Sequence, residues 1–95
     1  MRYYLVISEP SEEVSPTREL KFFEWFKHLQ KNGRVTEYWA LKEKPGLAAV
    51  LRLSFESELE EILAGWRERL PSDFRVEPLK DPKDLDADLA KKLLG

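Results

Sequence analysis

The stretch Leu47-Ala48-Ala49-Val50-Leu51-Arg52-Leu53-Ser54-Phe55 decides the fold. Its odd positions are all apolar, as in a strand with one face packed on a core. Its even positions, Ala48, Val50, Arg52 and Ser54, are not the row of Lys, Glu and Thr that a sheet face left in water carries. Such a strand needs cover on both sides.

On the N-terminal side, Val35 to Lys42 reads as a partner strand, and Glu43-Lys44-Pro45-Gly46 as the loop between the two, with Pro and Gly at the centres of a type II turn. A loop of two or four residues groups Val35, Glu37, Trp39 and Leu41 with Ala48, Val50, Arg52 and Ser54; three or five residues reverse the grouping. A four-residue loop, Glu43 to Gly46, sets Glu37 directly opposite Arg52 with Trp39 beside them. Further upstream, Tyr3 to Ser8 is a strand that stops at Glu9-Pro10-Ser11. Ser15-Pro16 opens a helix that runs to Asn32, with Phe22, Phe23, Trp25, Phe26 and Leu29 on one side. Tyr3, Leu5 and Ile7 alternate with Tyr4, Val6 and Ser8, so neither side of the first strand is plainly polar.

On the C-terminal side, Ser57-Glu58-Leu59-Glu60 matches a capping box and starts a second helix that ends before Pro71. Gly65 within it marks close packing. Phe74 to Leu79 is a fourth strand, placed at an edge by Pro78. The order is βαββαβ. The tail from Asp81 to Gly95 has aspartates early and lysines late, with Leu85, Leu89 and Leu93 as a narrow stripe, and is expected to form a helix docked on its own or a partner subunit. The domains are therefore residues 1–79 and a helical tail, 80–95.

A chain of 95 residues with 42% hydrophobic and 36% charged side chains supports a single core and is too apolar to stay disordered. The absence of cysteine excludes disulfides, thiolate metal sites and Cys nucleophiles. A net charge of −2 provides no field for a phosphate backbone or an anionic membrane, so neither nucleic acid nor membrane is an expected partner. An RNA-recognition module would also need aromatic side chains on the third strand's open face, where there are none. An acylphosphatase-like reading fails on the Glu9 to Ser15 loop, which has no glycine and three glutamates. No carboxylate cluster has a metal-ligand spacing, and His28 lies on the lysine-rich side of its helix. The apolar run of residues 3 to 7 is too short for a signal segment or a membrane span, so a cytoplasmic location is expected.

Gly33-Arg34, Tyr38-Trp39, Glu56-Ser57, Glu58-Leu59-Glu60-Glu61-Ile62-Leu63, Val76-Glu77-Pro78-Leu79 and Asp81-Pro82 together resemble the muconolactone isomerase family of small dimeric α+β barrels. The resemblance covers roughly half the chain, and Glu37 and Ala40 stand where the family's isomerases carry a histidine and an arginine. It implies an α+β, ferredoxin-like βαββαβ sandwich with a four-stranded antiparallel sheet, forming a homodimeric barrel with an extra C-terminal helix. It also implies a cofactor-free proton shift on a small organic acid, lactone or enol. In that chemistry Glu37 takes the proton and Arg52 stabilises the enolate, while Trp39, Tyr38, Tyr4 and Val50 line the substrate chamber. The alternative is a non-catalytic dimer that senses a metabolite or binds a protein, in which Glu37 and Arg52 only neutralise each other.

Overall fold

The computed structural model describes residues 1–94; Gly95 of the predicted tail lies outside the described residues. Its elements are β1 (Arg2–Pro10), α1 (Pro16–Lys31), β2 (Val35–Ala40), β3 (Leu47–Leu53), α2 (Ser57–Arg69), β4 (Ser72–Leu79) and α3 (Pro82–Leu94). All strand pairs are antiparallel, and the sheet order is β2-β3-β1-β4. Pro78 sits in β4, an edge strand, where a missing backbone donor is tolerated.

Local chemistry fixes both ends of α1. The Ser15 hydroxyl accepts from the Arg18 amide at 3.2 Å, and Pro16 occupies the first turn. At the other end Gly33 adopts φ +85°, its amide donates to the Gln30 carbonyl and the Arg34 amide to Leu29. These two bonds are a Schellman motif, which consumes carbonyls the helix end leaves free. The chain is thereby turned directly into β2.

The core lies between the helices and one sheet face. Trp66 of α2 is wholly buried, with ring centroids 5.3 Å from Phe22, 5.2 Å from Phe26 and 5.2 Å from Phe74. Val6, Ala49, Leu51 and Leu53 close the cluster from the sheet, as the alternation in β3 requires. The two helices meet at Gly65, where a Cβ would lie 2.9 Å from the Trp25 ring; Arg69 stacks on that ring at 4.6 Å and donates to the Gly65 carbonyl.

Several local expectations are corrected. The β2–β3 loop spans Leu41 to Gly46, closed by the Leu41 amide on the Gly46 carbonyl at 3.0 Å, and is two residues longer than the predicted turn. Gly46 has φ +146°, outside the type II value, and a Cβ there would meet the Ser8 carbonyl at 2.2 Å. A bulge at Thr36 then rotates Val35 onto the core face opposite Leu51, not onto the face of Glu37. The predicted Ser57 capping box does not form, because Ser57 is already helical. Instead the Glu58 carboxylate accepts from the Ser54 and Phe55 amides at 3.2 and 3.0 Å.

Asp81 caps the start of the tail helix α3, its carboxylate accepting from the Lys83 amide at 2.9 Å. The helix does not fold back onto its own domain: Leu85, Leu89 and Leu93 are 53%, 48% and 86% exposed. The resulting molecule measures 56 × 28 × 19 Å, with a radius of gyration of 15.6 Å against about 12 Å for a compact chain of this length.

Candidate functional site

The face of the sheet turned away from α1 and α2 carries the candidate residues. Strand alternation puts Tyr3, Leu5 and Ile7 of β1 there, paired respectively with Arg52, Val50 and Ala48 of β3. On the far side of β1 the same three residues pair with Leu79, Glu77 and Arg75 of β4. β2 adds Glu37, opposite Val50, and Trp39, opposite Ala48. The middle of this face, Leu5, Ile7, Ala48 and Val50, is apolar and half-buried, and its margins are charged. Along β4, Arg75 and Glu77 approach to 3.8 Å. Trp39 is 53% exposed on the β2 margin, a large apolar surface with nothing over it.

Of the predicted site residues, Glu37, Trp39, Val50 and Arg52 share this face. Glu37 is not opposite Arg52, however. The longer loop moves it two residues along β3, and the Arg52 amide bonds to the Arg34 carbonyl at 2.8 Å. The two are diagonal neighbours, about 7–8 Å apart at the backbone, and form no ion pair among the described residues. Tyr4 and Tyr38 belong to the opposite face. Tyr4 is buried under the helices and Tyr38 packs edge-on against Phe26 at 5.2 Å, so neither lines a chamber with Glu37. Successive side chains in a strand point to opposite sides, which is why neighbours of Trp39 and Tyr3 in sequence are not their neighbours in space. Tyr3, paired with Arg52, is the aromatic residue of the open face that the predicted site left out.

Arg52 also lines a cavity of about 460 Å³ at the end of the sheet, together with Met1, Asn32, Arg34, Ser54, Phe55 and the carboxylate-bearing Glu58. Arg34 reaches the Glu58 carboxylate at 3.5 Å and is partly neutralised, whereas Arg52 forms no ion pair among the described residues. With Glu58 held by Arg34, the Arg52 guanidinium is the group there that suits a small carboxylate. A second cavity of about 510 Å³ is lined by Glu12, Glu13 and Glu19 and would repel the same ligand. His28 is exposed, and among the described residues no three His, Asp or Glu side chains converge as a metal site requires. No helix among them is long and apolar enough to cross a membrane.

Element order, sheet order and helices on one face together define a ferredoxin-like α+β domain. No family model and no curated protein matches the chain. Among solved structures, it is similar to the leucine response regulatory protein LrpA of Mycobacterium tuberculosis, with a TM-score of 0.61 at 14% identity. The match covers 84% of this chain and 51% of that one, so the chain spans about half the length of the protein it resembles. At this identity the likeness is one of fold.

Proposed function

We propose that the protein is a cytoplasmic homodimer that binds a small organic acid without transforming it. In this reading two sheets pack open face to open face, and the ligand sits between them with its carboxylate on Arg52. The observation that carries the proposal is the apolar centre of the open face, Leu5, Ile7, Ala48 and Val50, bounded by charge and flanked by exposed Trp39. Leaving such side chains wet forgoes roughly 1.5–3 kcal/mol for each large one, and an identical face is the simplest complementary cover. The solved neighbour is named as a regulator responding to leucine, a small acid, which favours sensing over turnover.

The muconolactone isomerase resemblance supports a second, catalytic reading. Glu37 and Arg52 share the open face on adjacent strands, so one substrate could touch both. A thermal-shift screen of small carboxylic acids and lactones, followed by product analysis, separates the two. Sensing predicts a raised Tm with the ligand recovered unchanged, an effect weakened by Arg52→Met. Consumption of the ligand, abolished by Glu37→Gln, would replace sensing with catalysis.

A further inference from the structure

We infer that α3 is a self-association element that pairs antiparallel with α3 of a second copy, about a two-fold axis at Leu89. The inference does not depend on how the sheet is covered. α3 has 13 residues, a length that is marginal in water for an isolated helix, and among the described residues it makes no substantial packing contact with the sheet or with α1 and α2. Its apolar side chains therefore await a partner.

The leucines at positions 85, 89 and 93 recur every four residues and form a stripe about 80° wide, with Leu89 at its middle. Charge along the helix decides what fits the stripe. Apart from Lys83, the first half carries Asp84, Asp86 and Asp88, and the second half Lys91 and Lys92. A parallel copy would set aspartate on aspartate and lysine on lysine. An antiparallel copy sets each acidic half on a basic half, brings Leu85 against Leu93, and meets itself at Leu89. Asp88 and Lys92 lie on the same flank of the stripe, and in an antiparallel pair the same flanks of the two helices face each other. Lys92 of the second copy thus comes to Asp88, whose carboxylate in the single chain is held by Lys80. The helix is therefore complementary to its own reverse, the condition for a two-fold interface.

The absence of native cysteine makes the test direct. In the full chain, Leu89→Cys is expected to form a disulfide-linked dimer on mild oxidation. Leu85→Cys alone and Leu93→Cys alone are expected not to cross-link, whereas an equimolar mixture of the two is. Leu89→Asp is expected to move the midpoint of self-association, read by sedimentation, to at least about tenfold higher concentration with an unchanged circular-dichroism spectrum of the sheet domain. Cross-linking of Leu85→Cys as readily as Leu89→Cys would mean a parallel pair and overturn the inference. So would a lowered Tm for Leu89→Asp with unchanged association, which would place α3 on its own domain. Val50→Asp, measured alongside, reads the sheet interface separately: loss of association there but not in Leu89→Asp would leave the sheet dimer standing and remove the α3 pair.

Discussion

The two faces of one sheet are built from alternating residues of the same strands, yet only one is finished by the chain itself. In β3, Ala49, Leu51 and Leu53 are buried under α1 and α2, while Ala48, Val50 and Arg52 between them look outward. The finished face is held by aromatic packing around Trp66. The other has a similar apolar centre but nothing on it, and its charged residues stand at the margins. The difference explains why an amphipathic pattern fails on β3: one face is packed within the chain, and the other keeps an apolar centre that the proposed second copy would cover.

The largest effect separating the faces is expected at Trp66. Trp66→Ala removes a wholly buried indole and should lower stability by about 3–5 kcal/mol in denaturant unfolding. Trp66→Phe should cost less than its volume suggests, because the Trp66 indole N–H has no acceptor among the described residues. Next, Leu51→Ala should cost about 2–5 kcal/mol at any protein concentration. Val50→Ala, one residue away on the other face, should show a Tm deficit that grows as the protein is concentrated into the range where the wild type associates. Equal, concentration-independent losses would erase the distinction between the faces. Gly65→Ala should destabilise by about 1–3 kcal/mol through overpacking against Trp25, despite alanine's better helix propensity.

The smallest effect lies at the root of α3. The Lys80 pKa is raised by its hydrogen bond to Asp88 and by that carboxylate's charge, against a smaller desolvation effect, with Asp84 adding to the rise. A group raised on folding stabilises fully below its unfolded value and loses that contribution as pH climbs through the folded one. The helical signal of α3 should therefore decline slightly above about pH 10.4, the midpoint of an unperturbed lysine, and Lys80→Met should remove that decline.

Much of this architecture is legible in the sequence, and the failures have identifiable causes. The alternation in β3, the Ser15-Pro16 start of α1 and the edge position of Pro78 are local signals with one physical meaning each. The grouping of Glu37, Trp39, Val50 and Arg52 survives because lengthening the loop from four to six residues slides β2 by an even step, which preserves side-chain parity. The direct Glu37–Arg52 pairing does not survive that slide. Val35 could not be placed from pattern alone, because the Thr36 bulge changes parity within the strand; there the Thr36 hydroxyl donates to the Val50 carbonyl at 3.3 Å. The Ser57 capping box was one of two chemically sound ways to satisfy the amides before α2. Glu58 supplies the other, and it also meets Arg34, a contact between segments distant in sequence.

The most direct test is the sedimentation mass of the wild type at micromolar concentration beside that of Val50→Asp. If the open face is covered by a second copy, the wild type sediments as a dimer or a multiple of one, and Val50→Asp has at most half that mass with its secondary structure intact. A monomeric wild type, or a Val50→Asp variant of unchanged mass, would contradict the account.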